Sequence, residues 1–87
     1  MKPQILKVRE LLGEQAPANL HIQHAVEMNG GNPHLAAAQL IERMAAETAV
    51  KAQPLPPCHE RDRLRRLARK MLDDAAQLRA DGRKPPV

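Results

Sequence analysis

Residues 27–44, EMNGGNPHLAAAQLIERM, place two glycines, an asparagine and a proline directly before an alanine-rich run. Gly30 and Gly31 can adopt a positive φ without a steric penalty, so they predict the end of one helix. Asn32 can cap the next helix by accepting a backbone N–H, and the fixed φ of Pro33 fits its first position. These four residues therefore predict a chain reversal between two helices.

The composition of the 87-residue chain favours an all-α fold in one small domain. The chain has no Phe, Tyr or Trp, and β-branched residues are scarce, so strand formers are few. Its core must be built from Leu, Ile, Val, Ala and Met, which pack well between helices. Since a domain of this size buries only roughly 60–65% of its unfolded surface, its stability margin is thin.

Apolar periodicity predicts three helices in the first part of the chain. Helix 1 is expected from Pro3 to Leu12, helix 2 from Asn19 or Leu20 to Met28, and helix 3 from Pro33 to about Val50. Together they predict a small three-helix bundle over residues 1–50.

The segment KAQPLPP, residues 51–57, contains three prolines and predicts a short, stiff linker. A basic amphipathic helix is predicted over residues 58–82, followed by a disordered tail at 83–87. The apolar stripe of this fourth helix contains Leu64, Leu67, Met71, Ala75 and Leu78. We expect the stripe to fold back over the first three helices, because small cores need area; pairing with a second copy or a partner helix is the alternative.

The formal charge of +4 is unevenly distributed along the chain. Residues 1–50 carry four basic side chains against five acidic ones, whereas residues 51–87 carry ten against five. The cations that are predicted to steer an acidic partner, or to contact phosphates, are Arg61, Arg65, Arg66, Arg69 and Lys70. Four-residue spacing also predicts helical ion pairs between Asp62 and Arg66, Arg69 and Asp73, and Lys70 and Asp74.

The stretch IQHAVEMNGGNPHLAAAQLI, residues 22–41, resembles the last two helices of the UBA/CUE family of small three-helix bundles. The positions that carry the resemblance are Ala25-Val26, Gly31-Asn32, Ala36 and Leu40-Ile41. Family members commonly bind ubiquitin through the loop after helix 1 and the apolar pair that ends helix 3. Only that pair carries over to this chain, since the loop GEQAPAN has no aromatic residue.

The same residues are similar to the first part of a Fis-type helix-turn-helix. In that motif a Gly-Asn turn precedes a helix with paired alanines and a leucine, here Ala36, Ala37 and Leu40. The resemblance implies a DNA-binding regulator in which the chain then turns into a recognition helix. Residues 41–50 contain no glycine, however, and their pattern predicts one uninterrupted helix.

The chain shows no pattern typical of catalysis, of a cofactor or of a metal site. His21 and His24 have the spacing of a helical metal pair, but zinc needs three or four converging ligands. Cys58 precedes His59, and no third group that would orient a nucleophile is evident. The sequence therefore predicts a non-enzymatic protein without a cofactor.

The preferred interpretation is a small cytoplasmic regulatory protein that acts by protein–protein contact. A single cysteine fits a reducing compartment, and no apolar run approaches the roughly 20 residues that cross a bilayer. The predicted contact residues are Leu40, Ile41 and Met44, if partly exposed, and Leu64, Leu67, Met71 and Leu78. The alternative is a helix-turn-helix-like transcriptional regulator that places helix 3 and the arginines of helix 4 on DNA.

Overall fold

The computed structural model describes residues 2–83, and within that range the chain forms α-helices and one short 3-10 turn without a strand. The helices are α1 (Pro3–Leu12), α2 (Asn19–Met28), α3 (Pro33–Ala52) and α4 (His59–Gly82), and the 3-10 turn covers Gly13–Gln15. The all-α prediction is confirmed. Because α3 continues through Lys51 and Ala52, the connection to α4 covers residues 53–58 instead of 51–57. The predicted disordered tail, apart from Arg83, lies outside the described residues.

The chain reverses between α2 and α3 as the glycine pair predicts. Gly30 and Gly31 have φ angles of 63° and 84°, which L side chains rarely adopt. The side-chain oxygen of Asn32 accepts hydrogen bonds from the backbone N–H groups of His34 and Leu35, at 3.0 and 3.2 Å. This cap provides partners for two amides that the first turn of α3 would otherwise leave unpaired.

One apolar core joins all four helices. Its buried members are Ile5, Val8 and Leu12 of α1, Ile22, Ala25 and Val26 of α2, Ala36, Ala37, Ala38, Leu40 and Ile41 of α3, and Ala75 of α4. Met71 and Leu78 pack against this cluster from α4 and are themselves partly buried. The later part of the apolar stripe therefore folds back on the core, as expected for a chain that needs core area, whereas Leu64 and Leu67 do not belong to that core.

The fourth helix lies antiparallel along α3. Three contacts that follow one another along the pair set its register: Asn32 Nδ2 to Gly82 O at 2.9 Å, Arg79 Nε to Glu42 Oε2 at 2.9 Å, and Thr48 Oγ1 to Met71 Sδ at 3.9 Å. These contacts run from the start of α3 to its last two turns, so the two helices form one long hairpin.

Small residues repeat every seven positions on both helices of this hairpin. They are Ala38, Ala45 and Ala52 on α3, and Ala68, Ala75 and Gly82 on α4. In the observed register, alanines of the two helices lie at the same level, and all five are buried. A Cβ atom on Gly82 would lie only 3.1 Å from His34 Cβ and from Leu35 Cδ2, so the helix backbones approach closely there. A seven-residue repeat keeps the small residues of each helix on the side that faces the other helix.

The hairpin extends beyond the first two helices. With ten residues each, α1 and α2 are about 15 Å long, whereas the 24 residues of α4 span about 36 Å. The molecule is accordingly elongated, with extents of 46 × 27 × 20 Å. Ala45, Ala52 and Ala68 are buried in the hairpin seam, outside the four-helix core. The distal half of the hairpin is therefore a layer only two helices thick.

Candidate partner-binding surface

The predicted contact residues divide into buried and partly exposed groups. Leu40 and Ile41 are only 6% and 7% exposed. A partner contact at this end of α3 would require them to be partly exposed, and they are not. They are buried because α1 and α2 pack on this part of α3 and α4 returns over it. Leu78 packs against the same core and is partly buried. The apolar pair that the UBA/CUE resemblance points to is thus part of the core.

The remaining predicted residues form one apolar surface on the distal half of the hairpin. This surface, here named the distal face, consists of Met44 and Thr48 on α3 and of Leu64, Leu67 and Met71 on α4, all partly exposed. The contact between Thr48 and Met71 joins the two helices. One turn separates Met44 from Thr48 and Leu67 from Met71, so these side chains lie on the same side of the hairpin. Thr48 was not predicted as a member.

The distal face lies on the same side of the hairpin as α1 and α2. Those two helices cover this side near the four-helix core, and the distal face begins where they end. Met71 and Leu78 lie seven residues apart on α4, and both pack against the four-helix core. Leu67 is one turn further from that core. A depression of about 200 Å³ lies between this part of α3 and the start of α2 with the connection before it; its lining is Pro17, His21, Leu40, Arg43, Met44 and Glu47. A partner on the distal face would therefore meet the α1–α2 connection at one end.

Four exposed cations form a second surface on the solvent side of α4. This surface, here named the basic arc, consists of Arg65, Arg66, Arg69 and Lys70. At 100° per residue they cover an arc of about 140°, over a rise of about 7.5 Å. Leu67 lies about 60° from Lys70 and about 160° from Arg69 around the helix, so the arc borders the distal face and extends away from it.

The ion pairs predicted for the basic arc do not form. Within the described residues the structure has no contact of 4.0 Å or less between Asp62 and Arg66, Arg69 and Asp73, or Lys70 and Asp74. Exposed pairs of long side chains gain little and lose rotamer freedom, which explains why correct spacing alone does not produce them. Within the described residues, the four cations of the arc thus form no ion pair, although Asp62 lies beside three of them.

Two other arginines of this segment differ from the arc. Arg63 donates two hydrogen bonds to the Glu60 carboxylate, at 2.7 and 3.1 Å, and holds the pKa of Glu60 below its ordinary value. Arg61, which was predicted with the steering residues, is partly buried, and its Nε lacks a hydrogen-bond partner among the described residues. Arg63 is exposed but already paired with a carboxylate, and Arg61 is less accessible than the four members of the arc.

A bidentate ion pair between Glu42 and Arg79 links α3 to α4 on the side of the hairpin away from the distal face. Arg79 Nε donates to Glu42 Oε2 at 2.9 Å, and Arg79 Nη2 donates to the other carboxylate oxygen. The hydrogen bond from Arg79 holds the pKa of Glu42 below its ordinary value of about 4.5, with burial opposing this effect. Since both side chains remain about one-third exposed, solvent screens their attraction.

This ion pair predicts a pH dependence of stability. A carboxylate whose folded-state pKa is lowered stabilises the fold above its unfolded-state pKa, and the contribution is lost as pH falls through the folded value. We expect acidification from pH 7 to pH 3 to lower the free energy of unfolding by about 0.5–1 kcal/mol more in the wild type than in Arg79→Gln. Urea titrations at both pH values measure the difference. An equal decrease in the two proteins would show that the pair does not contribute.

The residues that the sequence offers for catalysis or metal binding do not form a cluster within residues 2–83. His21 and His24 are exposed, and Cys58 is a partly buried free thiol. Residues 2–83 contain no group of three or more His, Cys, Asp or Glu side chains placed to hold a metal ion. None of the helices in this range is long and apolar enough to cross a membrane.

Comparison of the chain with protein-family models, with curated proteins and with solved structures gives no match. The structure itself bears on one feature of the helix-turn-helix resemblance. Residues Pro33–Ala52 form a single α-helix, so no turn after Leu40 separates a recognition helix from the one before it.

Proposed function

We propose that this chain is a small, non-enzymatic, cytoplasmic regulatory protein that binds an amphipathic helix of a partner protein on its distal face. The observation that carries the proposal is the position of Met44, Leu64, Leu67 and Met71. All four side chains are partly exposed; Met44 and Met71 pack against the edge of the four-helix core, whereas Leu64 and Leu67 lie beyond it on the distal half of the hairpin.

The shape of the distal face favours a helix as its occupant. Two antiparallel helices leave a shallow groove between them, and a third helix can pack its side-chain ridges into that groove. Closer to the core, α1 and α2 both pack on α3. A partner helix with apolar residues at spacings of three and four would extend this arrangement to the end of the hairpin.

The charge around the distal face favours an acidic partner. Lys51 on α3 is exposed beside it, and the basic arc, whose Lys70 borders the distal face, adds a positive field. Such a field raises the rate of association with an acidic protein more than it raises the affinity. Glu47 is exposed on the same side of α3, so the contact also tolerates some basic character in the partner.

The substitution Leu67→Asp tests the proposal, because it places a carboxylate in the centre of the distal face. We expect tagged Leu67→Asp to retain the partner from source-cell extract at least tenfold less than the wild type, which corresponds to about 1.4 kcal/mol. Quantitative mass spectrometry of the retained proteins measures the ratio. If the partner is a second copy of the chain, light scattering will show a dimer that the substitution dissociates.

The matched control is Leu72→Asp, which introduces the same charge at an exposed leucine on another side of α4. It should retain the partner as the wild type does. Met44→Gln, on the opposite helix of the hairpin, should weaken retention without adding charge. Circular dichroism confirms that each variant is folded. Equal retention by Leu67→Asp, Leu72→Asp and the wild type would overturn the proposal.

A further inference from the structure

The basic arc is an exposed, positively charged surface, separate from the centre of the distal face. We infer that it binds the phosphate backbone of duplex nucleic acid without reading the base sequence. Arg65, Arg66, Arg69 and Lys70 share one exposed side of α4, and within the described residues none of them forms an ion pair within 4.0 Å. Asp62 lines a shallow depression together with the three arginines, so the arc is cationic on balance.

The arrangement of these cations has an internal cost that an external anion would offset. Arg65 and Arg69 are one turn apart, as are Arg66 and Lys70, and like charges at this spacing destabilise a helix. All four also lie in the first half of α4, where positive charge opposes the helix dipole. Phosphate oxygens would neutralise both effects, since arginine and lysine are the side chains that most often contact them.

The position of the arc leaves room for a duplex. It faces away from α1 and α2, on the part of the hairpin that extends beyond them. The major groove admits one helix, whereas α4 is packed along most of its length against α3. A hairpin two helices wide therefore contacts the backbone from outside the groove. The absence of Phe, Tyr and Trp removes base stacking, which disfavours single strands.

Salt dependence gives this inference a quantitative test. Four phosphate contacts predict a slope of about −3.6 when the logarithm of the binding constant is plotted against the logarithm of salt concentration. We expect a fluorescently labelled 20-base-pair DNA duplex, titrated with the full chain at several salt concentrations, to show this slope in anisotropy. Duplexes rich in A·T and in G·C should bind within about twofold of each other, as backbone contacts predict.

Paired variants assign the binding to the arc. The double substitution Arg66→Gln/Arg69→Gln should reduce the magnitude of the slope by about 1.8, since two phosphate contacts are lost. The control Lys2→Gln/Lys7→Gln removes the same net charge from the other end of the chain and should leave the slope unchanged. The substitution Leu67→Asp changes the centre of the distal face, and the variant protein keeps all four cations of the arc. Duplex binding retained by Leu67→Asp therefore separates this inference from the proposed protein contact.

Three results would overturn the inference. The first is absence of binding at micromolar protein in low salt. The second is an equal loss of slope in the two double variants, which would show that net charge, and not the arc, determines binding. The third is displacement of the duplex by poly-L-glutamate as effectively as by unlabelled duplex at equal charge concentration. That result would assign the arc to acidic proteins.

Discussion

Replacing Ala75 by aspartate is expected to detach α4 from α3 and to lower the free energy of unfolding by about 3 kcal/mol or more. Ala75 is 1% exposed and lies in the hairpin seam, where it belongs to the four-helix core. A carboxylate at this position would be buried without a partner, and an uncompensated buried charge costs about 3–5 kcal/mol. Relief requires the two helices to separate, which exposes Ala45 and Met71 as well.

The neighbouring residue gives a matched control for this prediction. Ala76 is exposed on α4, so Ala76→Asp makes the same chemical change with the same loss of helix propensity. It should cost well under 1 kcal/mol. Urea unfolding followed by circular dichroism at 222 nm measures both variants, since the chain has no aromatic residue for fluorescence. Similar losses in Ala75→Asp and Ala76→Asp would contradict the packing of α4 on α3.

Replacing Ile22 by alanine is expected to lower the free energy of unfolding by about 2–5 kcal/mol. Ile22 and Val8 are the largest side chains that are fully buried, and both belong to the core where α1, α2 and α3 meet. Truncation removes buried methyl groups and leaves a cavity that the surrounding helices fill only in part. In a core without aromatic residues, few larger side chains are present to move into the space.

Leu20→Ala is the control for that prediction. Leu20 lies two residues earlier on α2 and is 76% exposed, so its truncation should change stability by no more than about 0.5 kcal/mol. Urea titrations under identical conditions compare the two variants. A cost for Ile22→Ala as small as that for Leu20→Ala would indicate that α2 does not pack into the core as described.

Local signals in the sequence predicted the first three helices well. Gly30, Gly31 and Asn32 act on their own backbone neighbours, so the reversal and the start of α3 follow from short-range chemistry. The bounds predicted for α1 and α2 agree with Pro3–Leu12 and Asn19–Met28. The helix α3 ends two residues later than the sequence predicts, because the prolines after Ala52 do not interrupt it before that residue.

Features that depend on the return of α4 were harder to predict. Leu40 and Ile41 would be candidates for an exposed surface if α4 did not pack on α3, but the packing buries them. The local sequence pattern does not predict where α4 packs. A signal for the pairing was present in the seven-residue repeat of small side chains on both helices. Because the small residues of α3 and α4 face each other in the antiparallel pair, they occupy the middle of the seam. Leu64, Leu67 and Met71 therefore remain at its edge and are partly exposed.

A proton–proton NOE between the δ-methyl groups of Leu35 and the α-protons of Gly82 tests the α3–α4 hairpin most directly. The hairpin requires α4 to lie antiparallel along α3, and a Cβ on Gly82 would approach Leu35 Cδ2 to 3.1 Å. A strong cross-peak between these residues is therefore predicted in the free protein. Its absence, with α4 still helical by its chemical shifts, would contradict the hairpin and remove the basis for both binding surfaces.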